Sequence, residues 1–299
     1  MNRVTITPHA GARGPGKDGR GYLSVADWGP VAGPDRVAVL AAACGMDPSH
    51  GMLVSRRKPP CILAVADAET AKEMARALNE RGIAALAPTR AQLGSMGEPF
   101  RVKSLEPAAG ATEAMYLARP WRGEPMGLRM RDVAIIVRAR LENTARTTSV
   151  TPVDRTLTTL DPELTLIRAA VAPGDAGRST RMRVRTRDIA DVWLRDRSRL
   201  RFDADKLSFD MLGKEKGMSD GENMNRLTLR LTREAPRAIL DLGFSEFAPP
   251  PDVVTRHAGA SFRNPVSGDS DTVTTSEHGP AFEFYSPWIA MVYARLAKR

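Results

Sequence analysis

The chain has 299 residues, 42% of them hydrophobic and 26% charged, an ordinary globular composition with room for two modest domains. Aromatic residues make up only 5%, while Gly (24) and Pro (22) are plentiful. A core of Ala, Val, Leu and Met between substantial loops is therefore expected, which argues against repeat solenoids and coiled coils. Two cysteines, Cys44 and Cys61, cannot form a disulfide framework, and no Cys-x-x-Cys pair exists for zinc or redox chemistry.

The amino terminus (MNRVTITP) lacks an apolar leader core, and no apolar run approaches the roughly 20 residues needed to span a bilayer. A soluble, cytoplasmic protein with no membrane partner is the expectation. The formal net charge of +9 comes from 44 basic and 35 acidic residues. Only eight of the basic residues are Lys, an arginine bias that fits a GC-rich bacterial genome. The excess is local: residues 115–202 hold 18 Arg and no Lys against 10 acidic side chains.

Residues 1–21 read as a flexible arm, because five glycines and two prolines in 8–21 leave almost nothing to bury. A weak strand follows near 22–26. Pro34 and Asp35 open a helix with apolar Val37, Val39, Leu40 and Ala43, closed by Gly45. Asp47 then caps a short second helix with Pro48 at its first position, which must end before Pro59 and Pro60. Residues 61–66 (CILAVA) form an apolar run suited to a buried strand. Asp67 caps a third helix whose inward stripe is Ala71, Met74, Ala75 and Leu78, ended by Gly82, and 83–86 returns as a strand.

This β-α-α-β-α-β order, carried by DRVAVLAAACGM (35–46), the short helix after it and DAETAKEMARALNERGIAAL (67–86), resembles the C-terminal domain of the bacterial ribosomal stalk protein. The resemblance implies a small α/β module over 22–95. It does not bring factor binding with it, since the surface where that family is basic reads Ala41-Ala42-Ala43 here and only Arg36 keeps a positive charge.

Periodicity then switches toward strands. Residues 96–142 read as an antiparallel meander, and 143–163, rich in Thr and poor in large apolar residues, as a linker. Residues 164–251 read as a β-rich module with a helix at 220–235, opened by a Ser219-x-x-Glu222 capping box. An echo, Arg129-Met130-Arg131-Asp132-Val133-Ala134 against Arg185-Thr186-Arg187-Asp188-Ile189-Ala190, leaves a duplicated strand, turn and strand open. Residues 252–285 read as a long loop and 286–299 as a helix, with Ser286 as cap and Pro287 as its first residue. The fold class expected is thus α+β: a small α/β module followed by an antiparallel β-rich module with packed helices.

No motif specifies a reaction, so no catalytic residue, metal or cofactor is assigned. Residues 11–18 (GARGPGKD) approach a phosphate-binding loop but end in Asp18 where Ser or Thr must hold magnesium, without flanking strand and helix. His9, His50, His257 and His278 occur singly. Asp203, Asp205 and Asp210 start like a calcium loop, but Leu207 takes a ligand position.

One pattern remains. Arg181, Arg183, Arg185 and Arg187 alternate along one extended segment, and Arg195, Arg197, Arg199 and Arg201 repeat the spacing on its expected hairpin partner. Alternate residues share a sheet face, so eight guanidinium groups would stand together as an anion-binding surface with Trp193 free to stack. The plainer alternative is a solvated sheet face or an edge strand guarded by charge. Three readings follow: a non-enzymatic adaptor or regulatory interaction protein with an unidentified protein partner, a nucleic-acid binder using this face, and an enzyme whose site is assembled from distant residues.

Overall fold

The structure, a computed structural model, describes residues 19–108, 114–150, 178–253, 256–257, 261–263 and 270–298. Most of the arm expected at 1–21 therefore lies outside the described residues, although Arg20 and Gly21 already belong to the first strand. The fold is α+β, in two units: one of residues 1–140, 188–253 and 281–299, the other of 141–187 and 254–280.

The first unit opens with strand β1 (Arg20–Asp27), helices α1 (Gly33–Cys44) and α2 (Pro48–Ser55), strand β2 (Cys61–Asp67), helix α3 (Ala68–Glu80), strand β3 (Ala84–Leu86) and a single turn, α4 (Arg90–Gly94). β1 lies between β2 and β3 and pairs with both in antiparallel fashion. The local signals act as expected. Gly45 adopts φ +61° at the end of α1, where a β-carbon would be strained. The Asp47 carboxylate accepts the Ser49 amide at 2.8 Å, and Asp67 accepts that of Thr70 at 2.9 Å. Leu23, Val25, Trp28, Leu40, Val54, Leu63, Leu78 and Ile83 form the core of this module, with Met74 packed partly buried against it.

The rest of the first unit is built on a seven-stranded mixed sheet. Its strands are β4 (Phe100–Pro107), β5 (Met115–Pro120), β6 (Met126–Arg129), the first part of β7 (Val133–Val150), the last part of β8 (Arg178–Leu194), β9 (Arg199–Asp203) and β10 (Ile239–Asp241). They lie in the order β10-β7-β8-β9-β4-β5-β6. The β4–β9 and β10–β7 pairs are parallel, so the sheet is mixed where a wholly antiparallel one was expected.

Helix α5 (Asp220–Glu234) covers one face. Its Met224, Leu227 and Leu231 join Ala190, Val192, Leu200 and Phe202 in a single core. The capping box expected there is half formed. Ser219 accepts the Glu222 amide at 3.2 Å, but the Glu222 carboxylate takes the Met218 amide instead of that of Ser219. The reciprocal box occurs at α4, between Thr89 and Gln92.

Helix α6 (Gly279–Leu296) covers part of the opposite face. It starts seven residues before Ser286, so Ser286 and Pro287 are interior and buried, not a cap and first turn as the sequence implied. Their burial explains why: the Ser286 hydroxyl accepts the indole N–H of Trp193 at 3.0 Å, and Trp288 donates to the Ser24 hydroxyl at 2.9 Å. The helix is thereby tied to β8 and to β1. Its Phe282, Phe284, Tyr285 and Trp288 form an aromatic cluster with Phe244 and Phe247.

The second unit contains the remainders of β7 and β8 with β11 (Arg256–His257), β12 (Ser261–Arg263) and β13 (Ser270–Glu277). β13 runs antiparallel to β7, from Ser270 opposite Val150 to Glu277 opposite Asn143. Residues 143–150, expected in a linker, instead extend β7, and 270–277 form a strand within the expected long loop. A Thr-rich segment suits an extended backbone once a partner strand supplies the hydrogen bonds. The remainder of that linker, 151–163, lies outside the described residues. Nor does the echo produce two equivalent turns: Met130–Asp132 is a 3-10 turn leading into β7, whereas 185–190 run straight through β8.

Candidate functional site

The arginine ladder is distributed very differently from the expected single face. Pairing of β8 with β9 sets Trp193 opposite Arg199 and Asp191 opposite Arg201. This face lies under α6, and Arg199, Arg201, Asp191 and Trp193 are all buried there. Arg201 grips Asp191 with two hydrogen bonds, Nε to Oδ1 at 2.7 Å and Nη2 to Oδ2 at 2.8 Å, and its Nη1 reaches Glu283 of α6. Arg199 donates to the Gly97 carbonyl at 3.0 Å, approaches Asp191 at 3.5 Å and stacks over Trp193, 5.1 Å from the ring centroid.

Burial pulls the Arg199 guanidinium below its ordinary pKa. It would do the same to Arg201, but the bonds to Asp191 and Glu283 outweigh it and raise Arg201 above its ordinary value. Two guanidiniums and two carboxylates neutralise one another, so these arginines and Trp193 hold the fold together and cannot receive a phosphate or a base.

The other members of the ladder are dispersed. Residues 195–198 form the turn between β8 and β9: Arg197 has φ +74°, and Arg195 bonds the carbonyls of Asp132 through its amide and of Arg131 through Nε. Arg183 and Arg185 are exposed on β8 in the second unit and Arg187 is half-buried. The side chain of Arg181 lies outside the described residues.

Other buried charges are also matched. Asp188 accepts Arg138 at 3.1 Å and pairs with Arg140 at 3.5 Å. Gly221, in the first turn of α5, permits this approach, since a β-carbon there would stand 3.0 Å from the Asp188 carboxylate. Asp241 accepts the hydroxyls of Tyr285 at 2.6 Å and Tyr293 at 2.9 Å, and burial together with that carboxylate raises both phenols well above their ordinary pKa. Tyr22 donates to Asp252 and Tyr116 to Glu234, and burial followed by the carboxylate pushes each phenol up to about 12. Burial also pushes the thiols of Cys44 and Cys61 up to about 11, so neither is a thiolate nucleophile near neutral pH.

Among the described residues no group of three or more His, Cys, Asp or Glu could hold a metal ion, and no helix is long and apolar enough to cross a membrane. A shallow depression of about 490 Å³ near the turn of 195–198 is walled by Met115, Met126, Leu194, Arg129, Asp132 and Arg195. Its lining also includes Asp196, so two carboxylates and two guanidiniums share it, with no His or Cys.

Large apolar side chains are exposed at several places, among them α2 and the turn between β5 and β6. On α2, Met52 and Leu53 are 51% and 63% accessible, and Arg56, Arg57 and Lys58 follow at its carboxyl end, also exposed. On the turn between β5 and β6, Trp121 is 58% accessible, beside the exposed Lys103 of β4. Sequence reading singled out neither surface. The signal for the first was an apolar pair on the outward side of a capped helix; for the second it was a tryptophan inside a turn (WRGEP). Comparison of the chain with protein families, with curated proteins and with solved structures finds no match.

Proposed function

We propose that this chain is a non-enzymatic cytoplasmic interaction protein, an adaptor or regulatory subunit, whose N-terminal module has a ribosomal-stalk-like fold and offers the outer surface of α2 to a protein partner. The observation that carries this reading is the adjacent exposure of Met52 and Leu53 with Arg56, which follows at i+4 and i+3 and so shares their side of the helix. An apolar centre with a cationic border at Arg56, Arg57 and Lys58 suits an amphipathic segment bearing acidic side chains. Support comes also from the interior, where Asp188, Asp191, Asp241, Arg199 and Arg201 have structural partners and none is left poised over a cavity.

The test is affinity capture from the cells that make the protein, comparing the natural chain with a Met52→Asp, Leu53→Asp double variant. A protein retained by the first and lost by the second is the expected result. Identical captured sets, or no specific protein with either, would overturn the reading. The substituted side chains are exposed, so the melting temperature should be unchanged and serves as the folding control.

A further inference from the structure

We propose that the uncovered half of the seven-stranded sheet, β4 to β6 with the Trp121 turn, binds single-stranded nucleic acid. The surface lies on the same sheet face as the buried arginine cluster: Arg101 of β4 stands beside Arg201 of β9 in their parallel pairing. Antiparallel pairing carries this face across β5 and β6 through Ser104 with Arg119, Glu106 with Leu117, and Met115 with Arg129. No described residue covers it as α6 covers β8 and β9, and Arg101, Lys103, Glu106, Arg119 and Arg129 are all exposed.

These three strands contain four basic residues and a single acidic one, Glu106, which pairs with Arg119 at 2.7 Å. The turn adds one charge of each sign, Arg122 and Glu124. The pairing register slips between Val102 and Ser104, leaving Lys103 as the extra residue of a bulge, a device that re-aims a side chain. Its ammonium group stands 5.0 Å from the centroid of the Trp121 ring.

The other three tryptophans, Trp28, Trp193 and Trp288, are buried, so Trp121 is the one indole that packing does not use. A base stacking on an exposed ring, with cations following the phosphates along a sheet, is the chemistry of sequence-tolerant single-strand binding. In a duplex the bases stay stacked on one another and present only their edges in the grooves, so a ring standing on a sheet surface has nothing to stack on. Acidic protein segments would use the cations but leave the indole without a role. This surface is separate from α2, and its occupancy does not depend on the adaptor reading.

The experiment uses the full chain with oligothymidylate, following intrinsic tryptophan emission and, for affinities, the anisotropy of a labelled oligonucleotide. Emission should be quenched, and affinity should fall with salt. Trp121→Ala should weaken binding about tenfold or more. Lys103→Gln with Arg129→Gln should flatten the dependence of log K on log salt by about 0.7 for each phosphate that is no longer neutralised. Because the double variant leaves Trp121 in place, it keeps the proposal testable should Trp121→Ala fail to melt cooperatively.

Absence of binding at low salt, equal affinity of the Trp121→Ala protein, or tighter binding of a duplex of the same length would overturn the proposal. So would polyglutamate that quenches Trp121 and displaces the oligonucleotide equally well, which would assign the face to an acidic protein. Loss of binding only on Arg183→Gln with Arg185→Gln would move the site to the second unit, again against this face. None of these outcomes bears on the Met52, Leu53 test.

Discussion

One face of the seven-stranded sheet carries basic side chains along two adjoining stretches that differ in what lies over them. Over β8 and β9 the face is roofed by α6; over β4, β5 and β6 no described residue covers it. Under the roof, Arg199 and Arg201 are held by the fully buried Asp191 and by Glu283 from the helix above. In the open, Arg101 and Lys103 lie exposed on the strand that holds Glu106, a carboxylate already engaged by Arg119, and Arg129 lies exposed on the rim of the depression it shares with Asp132, Arg195 and Asp196. The same residue types therefore serve cohesion in one half and remain available for a ligand in the other. Desolvation decides which: a buried guanidinium must be paired, whereas an exposed one is stabilised by water until an anion replaces it.

The largest test of this contrast is Asp191→Asn. It leaves two guanidiniums buried with only the half-exposed Glu283, and the expected cost is about 3–5 kcal/mol in denaturant unfolding. A loss below about 1 kcal/mol would show that the roofed half is not held by this pair. Alkaline pH should come next. The phenols of Tyr22, Tyr116, Tyr285 and Tyr293 are raised in the folded state, so the folded protein binds more protons than the unfolded one above the ordinary phenol value of about 10. Their contribution is complete below about pH 10 and is lost as pH rises through their folded values, about 12 for Tyr22 and Tyr116. Thermal melts across pH 9 to 12, a range chosen around these values, should show a falling midpoint; a flat profile would refute the coupling.

Ser286→Ala removes the acceptor of the buried Trp193 N–H and should cost about 1–3 kcal/mol. The same change would cost far less if Ser286 were only an exposed helix cap, so the measurement separates the two placements. The smallest effect belongs to the open half: Arg101→Gln and Arg129→Gln should each move stability by no more than about 0.5 kcal/mol. A larger loss would mean that these side chains are structural as well.

The N-terminal module was legible because its signals are local. Asp47 with Pro48, Asp67 before an amphipathic stripe, and Gly45 at a helix end each specify a boundary through bonds spanning two to four residues. Residues 143–150 were misread for the complementary reason: a Thr-rich segment has no strong preference of its own, and its strand conformation depends on β13, whose paired residues lie at least 120 positions later in the chain. Helix α6 was placed too far downstream because Ser286-Pro287 is a good start signal in isolation. The burial of Ser286 against Trp193, 93 positions away, could not be read from the neighbouring residues.

Strand alternation determined that Asp191 shares a side of β8 with Trp193, and Arg199 a side of β9 with Arg201, since period-two geometry is a property of the backbone alone; the pairing register brought the two pairs together. Helix boundaries at Gly45, Asp47 and Asp67 and the β-α-α-β-α-β order of the first elements were determined in the same local way. Which side of the sheet faces water was decided only in three dimensions. It depends on where α6 comes to rest, with Glu283 arriving 82 residues after Arg201 to complete the buried cluster. Burial is a collective property of packed layers, so one pattern of arginines can encode either a charged surface or an ionic core, and only the helix laid across it selects between them.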